Sequence, residues 1–287
     1  MIPGQFEYHR PSSKEEALSI LSQVGGDGRP LAGGHSILPM MKLRLAAPEH
    51  LVDLGGVAEL KGISVGGDAI AIGAMTTQHE LHGSDELAAA CPIIRETVEL
   101  IADPQVRYVG TIGGNVANGD PGNDMPGLMK CLDATFVIES TGGAREVKAR
   151  EFYNGLYDTA LEDGDLLTGI RIPTPAQGHG HAYTKLKRKV GDYATAAAAV
   201  ILNMSGGNCQ SASIALTNVG DTALYAEDAS NALAGTDLGA DAVNKAVELA
   251  ESITNPVADM RGSEEYRTKM AGVMVRRAIE TAASRAS

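Results

Sequence analysis

Short apolar runs alternate with glycine-bounded polar stretches along this 287-residue chain, and no apolar run approaches the roughly 18 residues of a membrane span. The first periodic segment predicts a helix. Ser12 or Ser13 can cap it, Glu15 and Glu16 suit its positive end, and Ala17, Leu18, Ile20 and Leu21 form one apolar face. Gly25-Gly26-Asp27-Gly28 ends it. Residues 29–32 read as a short strand, 37–45 as a short helix with Pro39 near its start, and 50–54 as another strand. Together they make a small β–α–β-type unit.

The pattern then turns to alternation. Residues 60–65 and 69–74 predict two strands joined by Gly66-Gly67-Asp68. Thr77 caps a helix over 78–81, and Pro92 leads another to Ile101. A turn-rich polar stretch runs from Asn118 to Asp124, followed by a Met- and Leu-bearing helix to Leu132. Strands at 134–138 and 166–172 close this part, and the run from Pro173 to His181 marks a boundary. Beyond it, 194–202 and 211–216 read as strands, and about 240–253 and 264–284 as helices. The elements define an α+β chain with no fixed-period repeat, divided into residues 1–176 (parts of about 1–55 and 56–176) and 177–287.

Composition removes several classes of function. A net charge of −12 argues against a general nucleic-acid binder, and 4% aromatic residues without tryptophan leave few stacking platforms. Cys91, Cys131 and Cys209 are odd in number and far apart, so neither a disulfide framework nor a protein-only zinc or iron–sulfur site is expected. They read as buried small apolar residues. Glu7, His9 and Arg10 near the start do not fit a signal peptide, which points to the cytoplasm.

Two glycine clusters carry the candidate chemistry: Ala32-Gly33-Gly34-His35-Ser36 and Thr111-Ile112-Gly113-Gly114-Asn115. Glycine lets a backbone approach a ligand closely and aim successive N–H groups at one anion. The chain has seven Gly-Gly pairs, so the pairing alone says little; the flanking Ser36, Thr111 and Asn115 distinguish these two. They are either a phosphate cradle or ordinary strand–helix turns. His35 either approaches phosphate or ribose or only shapes its turn. Asp124 either accepts hydrogen bonds from ribose hydroxyls or supports its own turn, and Tyr193 either packs at a core edge or covers a planar ring. The run from Lys185 to Lys189 is a solvated face or a positive edge beside an anionic ligand. No P-loop, complete Gly-x-Gly-x-x-Gly or Gly-x-Ser-x-Gly is present. His79 and His82 lack an evident third metal ligand, so they read as an exposed helix pair.

These clusters, with Asp124, Asp103-Pro104-Gln105-Val106-Arg107, the run from Lys187 to Ala194 and Glu265-Tyr266-Arg267-Thr268-Lys269, resemble the flavoprotein subunits of the xanthine oxidase family of molybdenum hydroxylases. The resemblance covers essentially the whole chain and is strongest to the branch that oxidises carbon monoxide aerobically. It implies a two-subdomain FAD-binding domain of the vanillyl-alcohol-oxidase type, followed by a C-terminal α+β domain of the carbon monoxide dehydrogenase flavoprotein type. By motif position it implies that Ala32 to Ser36 and Thr111 to Asn115 cradle the FAD diphosphate and that Asp124 holds the ribityl or ribose side. Ile101 and Tyr193 would lie near the flavin ring, and Leu167 and Lys185 match further cofactor-contacting positions. No residue is assigned as a proton-transfer catalyst or metal ligand.

The resemblance also implies partners. A large subunit would carry the molybdenum cofactor and a small one two [2Fe-2S] clusters, as a dimer of heterotrimers delivering electrons to a quinone-type acceptor, in the cytoplasm and peripheral at the inner face of the membrane. The flavin chain of another molybdenum hydroxylase, a stand-alone FAD oxidoreductase and a flavin-free scaffold are the alternatives.

Overall fold

The computed structural model describes residues 2–287. The chain starts as a parallel three-stranded sheet in the order β1-β3-β2. Its elements are β1 (Glu7–His9), α1 (Lys14–Val24), β2 (Gly28–Leu31), α2 (Ile37–Lys42) and β3 (His50–Asp53). Parallel pairing requires crossovers, which α1 and α2 supply. Ser13 is the cap of α1, its Oγ accepting from Glu16 N at 3.2 Å. Ala17, Leu18 and Leu21 then bury against Val52 and Leu54, forming the expected β–α–β unit.

A five-stranded antiparallel sheet follows, in the order β4-β5-β10-β6-β7. It opens with β4 (Ile63–Gly66) and β5 (Ala69–Gly73). The chain then leaves the sheet for six helices: α3 (Gln78–Gly83), α4 (Asp85–Ala90), α5 (Pro92–Glu99), α6 (Pro104–Val109), α7 (Ile112–Ala117) and α8 (Asp124–Cys131). It returns through β6 (Thr135–Ser140), β7 (Gly143–Lys148), a small hairpin of β8 (Tyr153–Gly155) and β9 (Asp158–Thr159), and β10 (Leu166–Pro173). Ile70, Ile72, Phe136, Ile138 and Ile170 face the helices in the largest core. Phe136 and Phe152 meet edge-on there at 4.7 Å.

The remainder is an antiparallel sheet of β11 (Gly180–Leu186), β12 (Ala196–Ser205), β13 (Asn208–Thr217) and β14 (Leu224–Tyr225), with α9 (Glu227–Leu233), α10 (Ala240–Ser252) and α11 (Glu264–Arg285). Strand β12 explains the long alanine-rich run. Ala196, Ala198, Val200 and Leu202 face the core under α9–α11, whereas Ala197, Ala199 and Ile201 enter the core of the preceding sheet and helices. A strand covered on both faces has no polar side to alternate.

Several elements differ from the sequence reading. The second glycine cluster is not a loop: Thr111 caps α7, accepting from Gly114 N at 3.0 Å, and the glycines form its first turn. Capping and tertiary contact override the low helix propensity of glycine. Gly180 and His181, read as the end of a boundary, instead begin β11 (Gly180–Leu186). Helices α4, α6 and α9 and strand β7 were not anticipated.

Cys91, Cys131 and Cys209 are free and buried, and burial pushes the Cys91 and Cys131 thiols up to about 12. Among the described residues no helix is long and apolar enough to cross a membrane.

Arg267 on α11 ties the last helix to three loops. It is 4% exposed and donates to Thr195 O at 3.2 Å, Val257 O at 2.6 Å and Asn218 O. Arg267→Met keeps the bulk but strands three carbonyls. A loss of about 3 kcal/mol is expected in urea unfolding, and a loss below about 1 kcal/mol would show that water replaces the guanidinium.

Candidate functional site

A cleft of about 560 Å³ opens where the sheets meet, within the usual range for small-molecule sites. Both glycine clusters line it, and they touch. A Cβ on Gly33 would fall 2.7 Å from Gly110 Cα, so only glycine allows the first cluster to lie against the segment entering the second. Likewise a Cβ on Gly113 would meet Ala74 Cβ at 2.5 Å and Ala74 O at 2.6 Å, so α7 starts in backbone contact with the end of β5.

The two clusters contribute unequally. The N–H groups of Gly33, Gly34, His35 and Ser36 donate to no acceptor among the described residues. In the second cluster, Ile112 N–H donates to Thr76 O, Gly113 N–H to Ala74 O, Gly114 N–H to Thr111 Oγ1 and Asn115 N–H to Thr111 O. The first cluster is therefore an array of free donors, and the second is a close-packed wall.

Of the residues predicted for the site, Ala32, Gly33, Gly34, His35, Ser36, Ile101, Thr111, Gly113, Gly114, Asn115, Asp124, Leu167, Lys185 and Tyr193 line the cleft. Ile112 does not. Its side chain is fully buried in the large core and its N–H is used by Thr76, so it supports the wall from behind. His35 is exposed at the rim. Asn115 joins the cluster to the next helix: its Oδ1 accepts from Met125 N at 3.3 Å and its backbone carbonyl from Asn123 Nδ2 at 2.8 Å.

Asp124 sits in the first turn of α8, and its carboxylate is 6% exposed. Lys185 Nζ meets Oδ2 at 2.7 Å and also donates to Leu100 O at 3.2 Å, while Tyr183 OH donates to Oδ1 at 2.7 Å. Strand alternation sends Tyr183 and Lys185 to one face of β11 and Thr184, bonded to Met274 O, to the other. Lys185 is thus not part of a solvated basic face: its side chain is 1% exposed. Burial pushes the Asp124 carboxyl above its ordinary range, against the opposing pull of Lys185 and Tyr183.

Against Gly122, just before Asp124, Tyr193 is 45% exposed, with the Arg261 guanidinium 5.8 Å from its ring centre. Arg261 and Arg188 both bind Asp192, at 2.9 Å each. Burial opposes ionisation of Asp192, but the two arginines hold its carboxyl at about 2.

Gln78 was missed. It is 2% exposed, it lines the cleft, and neither its Nε2 nor its Oε1 has a partner. A glutamine just after an N-cap ordinarily faces water, so only the burial reveals it. An orphaned buried amide in the same cleft as four free N–H groups suits an oxygen-rich anionic ligand with hydroxyls.

The family profile for the FAD binding domain in molybdopterin dehydrogenase matches residues 4–175, and that for the CO dehydrogenase flavoprotein C-terminal domain matches residues 181–282. The chain belongs to the molybdopterin dehydrogenase flavoprotein family. The flavoprotein is 64% identical over 286 residues to the carbon monoxide dehydrogenase medium chain of Afipia carboxidovorans, covering 100% of this chain and 99% of that one. It is 49% identical over 285 residues to the medium chain of the same name from Hydrogenophaga pseudoflava, covering 99% of each. Among solved structures it is similar to a chain of a cyanide-inactivated Cu,Mo-CO dehydrogenase, with TM-score 0.99, 64% identity and 100% coverage of both.

The Asp124–Lys185 contact makes a pH-dependent prediction. The raised carboxyl means that the folded chain keeps a proton that the unfolded chain has released, so stability falls as pH rises across that interval. Lys185→Met removes the counter-charge and raises that carboxyl further. It is expected to cost about 3 kcal/mol at about pH 8 and clearly less at about pH 5, read from urea midpoints. An equal loss at both pH values would contradict an ion pair.

Proposed function

We propose that this chain is the FAD-carrying electron-transfer subunit of an aerobic carbon monoxide dehydrogenase. The observation that carries the reading is the cleft itself, where free donors at Gly33 to Ser36 face the wall begun by Thr111 and the family match spans both sides. Similarity to carbon monoxide dehydrogenase medium chains over their whole length supports the choice of substrate.

In this reading residues 1–176, in parts of about 1–55 and 56–176, hold the cofactor, and residues 177–287 close the site through Lys185 and Tyr193. The free N–H groups of Gly33, Gly34, His35 and Ser36 bind the diphosphate, with Thr111 N–H and Oγ1 and the Asn115 amide opposite. Gln78 supplies one further donor and one acceptor to the same ligand. Asp124, fixed by Lys185 and Tyr183, offers its remaining lone pairs to hydroxyls of the ribityl or ribose. Ile101, Leu167 and the Tyr193 ring exclude water and orient the planar end. FAD, when bound, supplies a carrier that takes electrons singly and passes them on in pairs.

Substrate oxidation, CO + H2O giving CO2, two protons and two electrons, belongs to a large molybdenum subunit. A small subunit with two [2Fe-2S] clusters relays the electrons. The chain's lack of a cysteine set for clusters agrees with this division. The assembly is proposed as a dimer of heterotrimers serving a quinone-type acceptor, in the cytoplasm and peripheral at the inner face of the membrane.

The test is the chain purified with its partners. One equivalent of FAD released on denaturation, and bleaching of the flavin band when CO is added without oxygen, are expected. Absence of flavin would sink the reading. Bleaching by another hydroxylase substrate but not by CO would keep the family and reject CO. Gly114→Val, which places a side chain between Thr111 Oγ1 and Ala32 Cβ (2.9 and 3.4 Å from the Cβ position), is expected to lose FAD while the chain still folds, its unfolding midpoint lowered by the disturbed Thr111 cap. Normal FAD content in that variant would refute the cradle.

A further inference from the structure

Away from the cleft, three donor atoms converge on the first sheet. Glu7 and His9 alternate on β1, so their side chains leave the same face, and in the parallel register Glu7 lies opposite His50 on β3. His9 Nε2 is 3.1 Å from His50 Nδ1, and Glu7 Oε2 is 3.5 Å from the same nitrogen. All three atoms lie within 4.8 Å of one another. We propose that Glu7, His9 and His50 bind one late divalent transition-metal ion, with Zn2+ the best match, in a site that joins β1 to β3.

The separations fit an ion. Zinc binds nitrogen at about 2.0–2.1 Å and carboxylate oxygen at about 2.0–2.2 Å in a tetrahedron, which sets neighbouring donors about 3.3 Å apart. The distances from His50 Nδ1, 3.1 and 3.5 Å, lie on either side of that edge. Two imidazoles with one carboxylate also select zinc, nickel or copper over magnesium and calcium, which prefer all-oxygen shells.

Proton bookkeeping favours the same conclusion. His50 Nδ1 carries either a proton or a lone pair. With a proton it can serve Glu7 or His9 well, but not both; with a lone pair it accepts from His9 and repels the Glu7 carboxylate. A cation among the three satisfies every lone pair at once. The site is open on one side, because the Glu7 side chain is 73% exposed, whereas that of His50 is 23% exposed. A fourth position therefore remains for water or for a donor from a partner. Its role is structural: β1 is a three-residue edge strand, and an ion shared with β3 clips the start of the chain to the sheet.

The full-length chain, freed of metal, is titrated with Zn2+ by calorimetry and with Co2+ by visible absorption, and its thermal midpoint is read with and without Zn2+. One equivalent is expected, with a midpoint raised by the ion. His9→Gln and His50→Gln are each expected to weaken binding about tenfold or more, with Glu7→Gln smaller in effect. All three side chains lie outside the described cores, so the metal-free midpoints should match the parent. His179 and His181, whose rings are 5.5 Å apart, are the natural competitor, and His181→Gln should leave binding unchanged. Absence of Zn2+ binding by the parent overturns the proposal. So does binding indifferent to His9 and His50, or binding lost in His181→Gln.

Discussion

The cleft depends on backbone meeting backbone at two glycines. Gly33 lies against Gly110, and Gly113 lies against Ala74, at distances that a Cβ would not permit. The first contact brings the turn after β2 onto the segment before α7; the second seats α7 on the end of β5. The parallel sheet, the antiparallel sheet and the helical layer thereby share one edge. Neither contact stores much energy by itself. Each fixes position, so the unpartnered N–H groups of Gly33 to Ser36 line the same cleft as a wall whose N–H groups from Ile112 to Asn115 are used internally.

The third layer reaches this edge through the two-sided burial of β12. Its small side chains allow the sheet to sit close to α8, and β11, hydrogen-bonded alongside, delivers Tyr183 and Lys185 to Asp124. The buried carboxylate is costly alone, and its two donors come from a different sheet. The pair therefore couples closure of the cleft to docking of the C-terminal layer. Desolvation of such a pair offsets much of its Coulomb attraction, so its value lies in geometry as much as in stability.

Elements with local signals were legible in the chain. Ser13 and Thr77 announced their helices, the hairpin about Gly66-Gly67 was readable from alternation, and the turn-rich stretch from Asn118 to Asp124 does reverse the chain, bringing Asn123 and Met125 back onto Asn115. What escaped depended on partners distant in sequence. Lys185 was tied to the site by resemblance alone, because the basic run left a solvated face or a positive edge open; strand alternation is what turns that one ammonium inward to Asp124. Gln78 drew no reading as a site residue, and Ile112 was placed in the cradle, because burial is not written in residue type. The glycines of α7 read as a loop because only Thr111 and the Ala74 contact make them helical. The unequal roles of the two clusters could be seen only once each N–H had been traced to its acceptor.

In the proposed site one ligand diphosphate lies against the first cluster's donors and is bounded by the second. A crystal structure of the assembled complex with FAD tests it most directly. Diphosphate oxygens are expected within hydrogen-bond distance of N–H groups from Gly33 to Ser36, with Thr111 and Asn115 on the opposite side and Ile112 out of contact. A diphosphate placed elsewhere, or held chiefly by N–H groups of Ile112 to Asn115 after their internal bonds have broken, would contradict it.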